Sequence, residues 1–252
     1  NLTGDTLKET LYAHGDGSLN GGIIGLGQSF SDLLNPLYIE GQSGTLRDQD
    51  SVASPRYLYV KLNKFANLYK TDYDLLEFLD EEGQSVEPKY YLPIIPTVLC
   101  RQAIGLAPGY RFNTMSYNPI DLIDGCMNHL KGKAIKIPRP CIRGIKQSNW
   151  KYTLPLEGSG YWENVGEWEY NFSKDKMIIT DLPYDVTFDK FEKKLNSYIE
   201  SGYIKDWKNF SQDDKLDYRI LFNKSKLARE AQPDKKEQML KKFMLQTNIP
   251  ND

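Results

Sequence analysis

Apolar Ile120, Ile123 and Met127 recur three and four positions apart, so Pro119–Leu130 is predicted to form a helix with those three on one face. The same spacing puts Phe188, Phe191, Leu195 and Ile199 on one stripe of a second helix, Phe188–Ile199. Between them, "WEYNFSKDKMIITDLP" has the pattern of a hairpin: a strand at Trp168–Phe172, a turn at Ser173–Lys176 and a strand at Met177–Leu182. "KLDYRILFN" predicts another strand, and Lys235–Phe243 another helix. This order predicts an α+β fold in which a helix covers an antiparallel or mixed sheet.

The first half is less regular. Thr6–Leu11 reads as a short helix capped by Asp5, and the turn "HGDGSLNGG" leads into a helix at Leu19–Phe30. "PLYIE" predicts a strand, followed by a glycine-rich loop, Gly41–Asp50. "RYLYVKLNKFANLYK" alternates at first and takes helical spacing later, so strand-into-helix and all-helix readings both stand. Asp72–Leu79 is a short amphipathic piece. Pro93 and Pro96 exclude a central strand or regular helix from "YLPIIPTVL", which reads as an extended connector.

Composition narrows the function classes only a little. The chain has 252 residues, 26% of them charged, and a formal net charge of -2, so bulk charge does not mark a nucleic-acid binder. A contact face alone must be positive, however, and Lys131, Lys133, Lys136, Arg139, Arg143 and Lys146 form a basic run broken by prolines. The two readings of that run are a nucleic-acid contact and a solvated loop. Cys100, Cys126 and Cys141 lack metal-ligand spacing and read as reduced thiols of a cytosolic or nuclear protein. No apolar run reaches transmembrane length. The opening "NLTGDTLKETLYAHGDG" has no initiator Met, and a fragment of a longer protein is expected.

Four features are candidates for chemistry. His14 lies in "YAHGDG", where the plain alternative is a surface histidine at a turn; His129 closes a helix, where a favourable C-terminal charge accounts for it. "GQSGTLRD" gathers backbone N–H groups, the Gln42 amide, the Thr45 hydroxyl and the Arg47 guanidinium in one loop. Such a loop can cradle phosphate, although it lacks the Lys-Ser/Thr ending of a P-loop and also reads as a plain connection. Last, Arg56 precedes Tyr57 in "ASPRY". A phenol ordinarily ionises near pH ~10 and needs help to attack; a guanidinium beside it can hold a phosphate oxygen through paired donors. In a strand, neighbouring side chains face opposite ways, so the pair can share one phosphate only if the backbone turns, as Pro55 allows.

"YAHGDGSL", "GQSGT", "ASPRY", "VEPKYYLPIIPTVL", "KMIITDLP" and "KFMLQTN" occur in the order found in the DNA breakage-reunion region of type IIA DNA topoisomerases. The chain resembles that family over nearly its whole length, with the eukaryotic enzymes and the medium subunit of T-even phage topoisomerases nearest in pattern. The resemblance implies a partial winged-helix domain over residues 1–93 and a tower domain over 94–252. It implies that Tyr57 attacks a DNA phosphodiester and becomes linked to the 5′ phosphate, that Arg56 holds the same phosphate, and that His14 helps stabilise the transition state. Ala13 stands where eukaryotic relatives carry a second histidine. Gln42, Gly44 and Thr45 match the loop along the DNA backbone, and Arg47 belongs to the same expected contact.

The family also wedges an apolar residue between base pairs. Here "NTMSYNP" departs from the family pattern; Met115 is the nearest apolar candidate, with a loop-packing Met as the alternative and Ala107–Pro108 as a suspected insertion. Mg²⁺ is expected to be held by a separate toprim domain and ATP to be used by a separate ATPase domain, neither of them in this chain. The acid-rich "LLEFLDEE" reads as a solvated helix edge rather than a metal site. Expected partners are double-stranded DNA, the toprim and ATPase domains or subunits, and a second copy in a homodimer; no membrane is expected. By itself the piece is expected to be inert. The expectation is thus a DNA cleavage-religation fragment of an ATP-dependent type II topoisomerase, acting in the cytoplasm or nucleus. The alternative is a non-catalytic duplex-binding module that retains the same arch, and a purely structural α+β domain comes after it.

Overall fold

In the computed structural model, which describes residues 2–155, 160–171, 175–212, 215–223 and 236–250, helix starts follow local chemistry. The Asn118 side chain accepts a hydrogen bond from Ile120 N, Pro119 takes the first helical position, and the helix spans Pro119–Leu130, the bounds expected from the sequence. Thr187 caps helix Phe188–Glu200 in the same way through Lys190 N.

The chain divides into two compact units. One comprises residues 1–45 and 49–143, the other 46–48 and 144–252. The first unit opens with α1, Leu2–Thr10, and α2, Asp16–Gly27. Three antiparallel hairpins follow: β1, Leu37–Glu40, with β2, Tyr59–Leu62; β3, Phe78–Glu81, with β4, Gln84–Pro88; and β5, Ala103–Ala107, with β6, Tyr110–Thr114. The helix Pro119–Leu130 is α3. Its buried side chain is Leu122, which packs with Leu34 and Cys100, whereas Ile120, Ile123 and Met127 are exposed. Burial pushes the Cys100 thiol up to about 11, helped by the charge of Asp32.

The acid-rich segment is a hairpin and not a helix edge. Gly83 takes a positive φ of 80° at its turn and donates its N–H to Asp80 Oδ1, local chemistry that ends helical spacing. The expected boundary between residues 93 and 94 falls inside the first unit. Leu33 N donates to Cys100 O and Asp32 bridges to Arg101, so both sides of that boundary share one core.

The second unit holds two antiparallel sheets. In the larger, β9 (Trp168–Asn171), β10 (Lys176–Ile179), β12 (Tyr218–Phe222) and β11 (Ile204–Asn209) lie in the order β9-β10-β12-β11. The predicted hairpin is thus present; its turn at Ser173–Lys176 lies partly outside the described residues. Phe191 and Leu195 of α4, Phe188–Glu200, are fully buried in one cluster with Ile179, Tyr218 and Phe243. Each such side chain contributes roughly 1.5–3 kcal/mol by leaving water. α5, Lys236–Lys242, adds Met239 to the same cluster. The smaller sheet orders β7 (Trp150–Thr153), β8 (Tyr161–Val165) and β13 (Gln246–Pro250) as β13-β8-β7. The architecture is α+β, with antiparallel pairing throughout the described strands.

Candidate functional site

The β1–β2 ladder ends at the pair Glu40↔Tyr59, and the loop between them folds back on itself. Its start pairs with its finish: Ser43 bridges Val52, Ala53 N donates to Gln42 O at 2.9 Å, and Gln42 Nε2 donates to Ser51 Oγ. Gln28, which caps α2, donates from Nε2 to Ser43 O at 2.8 Å and so fixes the loop to the helix. Gly44 has φ of 85°, and a β-carbon there would meet Gln49 O at 2.6 Å. The glycines of "GQSGT" are therefore required by the path of the loop itself. Gln42 and Thr45 lie on its exposed side.

This closed loop delivers the chain into a single 3-10 turn, Pro55–Tyr57. Tyr57 N donates to Ser54 O at 2.9 Å and Leu58 N to Pro55 O at 3.2 Å. The turn resolves the strand problem: Arg56 and Tyr57 share one side, with the guanidinium carbon 5.5 Å from the tyrosine ring centroid. Arg56 Nε also donates to Ser54 Oγ at 3.4 Å. Tyr57 is 66% exposed, a bulky aromatic with no core to serve. The turn therefore presents a phenolic hydroxyl, a neighbouring guanidinium and open access together.

Arg56 lines a cleft of about 530 Å³ with Pro55 and Leu58 on one side and Thr3, Asp16 and Asn20 of α1 and α2 on the other. Exposed His14 stands immediately before α2, its ring edge-on to Tyr12 with centroids 5.3 Å apart. Tyr12 in turn donates from its hydroxyl to Ser18 Oγ. Gly15, at φ 81°, makes the turn that starts α2. The positive end of a helix of this length attracts anions, and here it opens on the wall facing Arg56. The structure thus brings Arg56 against Tyr57, and places the start of α2, just after His14, on the same cleft.

Other expected site residues sit elsewhere. Arg47 is not presented to a ligand. Its side chain is 12% exposed within the second unit, donating to Asp181 Oδ1 at 3.0 Å, to Val186 O at 3.1 Å, and to Pro183 O and Leu182 O. Asp181 also accepts from Asn149 Nδ2. Burial raises the Asp181 carboxyl and lowers the Arg47 guanidinium, while their mutual attraction opposes both shifts. Arginine satisfies three carbonyls and a carboxylate at once, which explains its place in the sequence without a phosphate. Its Nη1 and Nη2 donors are engaged inside the second unit.

Met115 is 4% exposed, so it does not offer itself for insertion between bases. The exposed apolar side chains lie a few residues earlier, at the β5–β6 hairpin, where Leu106 is 80% and Tyr110 82% exposed. Ala107 and Pro108, suspected of being an insertion, belong to its tip, with Gly109 at φ 79° closing the turn. The alternation Ile104–Gly105–Leu106, followed by Pro-Gly, is the sequence signal that could have found this hairpin.

In the first unit, Lys131, Lys133, Lys136, Arg139 and Arg143 are exposed or partly so. Lys131, Lys136 and Arg139 share a cleft with Asp121 and Asp124, so the basic run is interleaved with acids. Lys146 belongs to the second unit and pairs with Glu167 at 2.5 Å, which raises its ammonium pKa. His129 lies in the last turn of α3. Among the described residues, no group of three or more His, Cys, Asp or Glu side chains is placed to hold a metal ion. No helix is long and apolar enough to cross a membrane among the described residues.

Residues 1–251 match the family model for the A-type subunit of DNA gyrase/topoisomerase IV. DNA topoisomerase 2 of Arabidopsis thaliana is 32% identical over 257 residues, covering 98% of this chain and 17% of the relative. DNA topoisomerase 2 of Acanthamoeba polyphaga mimivirus is 34% identical over 207 residues, covering 80% of this chain and 16% of the relative. The crystal structure of the Plasmodium falciparum topoisomerase II DNA-binding, cleavage and re-ligation domain superposes with a TM-score of 0.86 at 25% identity, over 99% of this chain and 34% of that one. The chain therefore spans only 16–17% of the length of these two curated relatives.

Proposed function

The chain belongs to the DNA gyrase/topoisomerase IV family, matching its A-type subunit, and on that premise we propose that it is the DNA-binding, cleavage and re-ligation region of a type II DNA topoisomerase with Tyr57 as its nucleophile. The observation that carries this reading is the 3-10 turn that sets the Arg56 guanidinium beside the exposed ring of Tyr57.

In the reaction, the Tyr57 phenolic oxygen forms a bond to a backbone phosphorus while the P–O3′ bond breaks. The phenol gives up its proton and the departing 3′ oxygen gains one. Phosphodiester and phosphotyrosine bonds are alike in kind, so the freed 3′ hydroxyl can attack in reverse and restore the strand. Arg56 supplies a cation for the charge that grows on the non-bridging oxygens, and His14 with the start of α2 supplies further donors. Gln42, Gly44 and Thr45 track the backbone. The wedge that eases a bend in the duplex is assigned to the β5–β6 tip, with Leu106 in the role that the sequence suggests for Met115.

Two such tyrosines, one from each copy of a two-fold dimer, open both strands. Mg²⁺ and ATP belong in this reading to polypeptide outside this chain, and none of these steps is drawn through them. The site of action is the cytoplasm or nucleus, wherever the duplex is held. A duplex-binding module without activity accounts for the basic run but leaves the paired Arg56 and Tyr57 without a use, and is not favoured. The test is to incubate the intact protein with end-labelled duplex and Mg²⁺, trap the product with detergent, and map the DNA-linked peptide. The expected peptide contains Tyr57; a link at any other tyrosine overturns the assignment.

A further inference from the structure

A second cavity of the first unit, about 740 Å³, shares no lining residue with the Arg56 cleft and lies at the ends of α2 and β2 opposite those that His14 and Tyr57 precede. Leu26, near the end of α2, and Leu37 and Leu62, paired across the β1–β2 ladder, form much of its apolar wall. Three tyrosines add flat surface: Tyr69, Tyr73 and Tyr91, with Tyr69 and Tyr91 edge-to-face at 5.8 Å between centroids. Two cations, Lys70 and Arg101, complete the lining.

These features select a ligand. The volume suits a molecule of a few fused or linked rings, within the usual range for small-molecule sites. Apolar and aromatic walls favour a planar hydrocarbon body. Among the described residues neither Lys70 nor Arg101 closes an ion pair, although Asp32 feels the charge of Arg101. A half-buried guanidinium beside an apolar wall is a strong partner for a planar acid group. Neutral aromatics would leave Lys70 and Arg101 without an ion-pair partner, and simple anions would leave the apolar walls uncovered.

The geometry points to a binding site for an aromatic acid, a planar ring system bearing one carboxylate or sulfonate, in the cavity between the end of α2 and the underside of β1–β2. Such a ligand meets β2 and α2 at the ends remote from Tyr57 and His14, without overlapping the cleft that takes DNA. The site stands independently of the chemistry proposed for Tyr57, and its test uses no DNA.

The probe is anilinonaphthalene sulfonate, titrated into the intact protein and followed by its fluorescence. One saturable site per chain is expected. Leu62→Glu, a change at an exposed position that brings a like charge to the rim, should weaken binding by about tenfold or more, as should Arg101→Gln. Lys70→Gln, on an exposed side chain, guards against an Arg101 variant that fails to fold. The same ring system without its sulfonate should bind at least about tenfold more weakly. Saturable binding that ignores all three substitutions places the dye elsewhere and overturns the proposal. So does equal binding of the neutral analogue. Absence of a saturable site also overturns it, because the cavity is then covered in the intact protein or does not admit an aromatic acid.

Discussion

A β-carbon placed on Gly41 would stand 3.1 Å from the carbonyl oxygen of Tyr57 and 2.8 Å from the Leu58 side chain, and Gly41 itself holds φ of 116°. The missing side chain lets the start of the loop lie on the backbone of the tyrosine at its end. Gly41→Ala introduces strain on the order of 1–3 kcal/mol, relieved most readily by moving the Tyr57 segment. Adduct formation should fall about tenfold or more while circular dichroism stays unchanged. Wild-type cleavage by this variant would show that the close approach positions nothing.

His14 tests the contribution of the α2 entrance. If it supports the charge developing on phosphate, His14→Ala should slow cleavage by roughly ten- to a thousandfold, as the loss of one oxyanion donor does elsewhere. Duplex affinity should change much less. Parallel losses of binding and cleavage would make His14 a docking residue, with no special part in the transition state.

Arg47 separates a buried clamp from a phosphate ligand. All four tryptophans, Trp150, Trp162, Trp168 and Trp207, lie in the second unit, so their fluorescence reports its unfolding. Arg47→Ala leaves Asp181 buried without its counter-charge and should destabilise that unit by about 3–5 kcal/mol in urea. The salt dependence of DNA binding should keep its slope. Lys131→Ala with Lys133→Ala should do the opposite, lowering the slope by about 0.9 for each phosphate no longer neutralised. A changed slope with unchanged urea stability in Arg47→Ala would restore its phosphate role.

Loop and helix chemistry explain how much of the fold is legible in the sequence. Asn118 and Pro119 announce α3, and the stripe Phe191–Leu195 announces α4, because capping and burial periodicity act within a few residues. Pro55 beside Arg56 and Tyr57 signals a turn for the same local reason. Arg47 misleads because its partners, Asp181 and the carbonyls of Leu182, Pro183 and Val186, lie more than 130 residues away. Met115 misleads because it and Leu106 are alike in hydropathy; Leu106 stands exposed near the tip of the β5–β6 hairpin, whereas Met115 follows the end of β6 and is buried.

These two residues give a direct comparison. Leu106→Ala trims the exposed hairpin tip and should reduce bending of end-labelled duplex, measured by fluorescence energy transfer, with little effect on stability. Met115→Ala removes a buried side chain and should cost about 2–5 kcal/mol of stability, with no selective effect on the bend. Bending that depends on Met115 and ignores Leu106 would reverse the assignment.

Covalent trapping by a Tyr57→Phe variant tests the central claim most directly. The ring, its packing against Arg56 and the surrounding turn remain, and only the attacking oxygen is removed. Incubated with 5′-end-labelled and 3′-end-labelled duplexes in Mg²⁺ and quenched with detergent, the unaltered intact protein should retain the 3′-end-labelled fragment through its new 5′ phosphate. The Phe variant should retain none while binding duplex with ordinary affinity. A covalent adduct formed by Tyr57→Phe at the unaltered protein's rate would contradict the assignment of Tyr57 as the nucleophile.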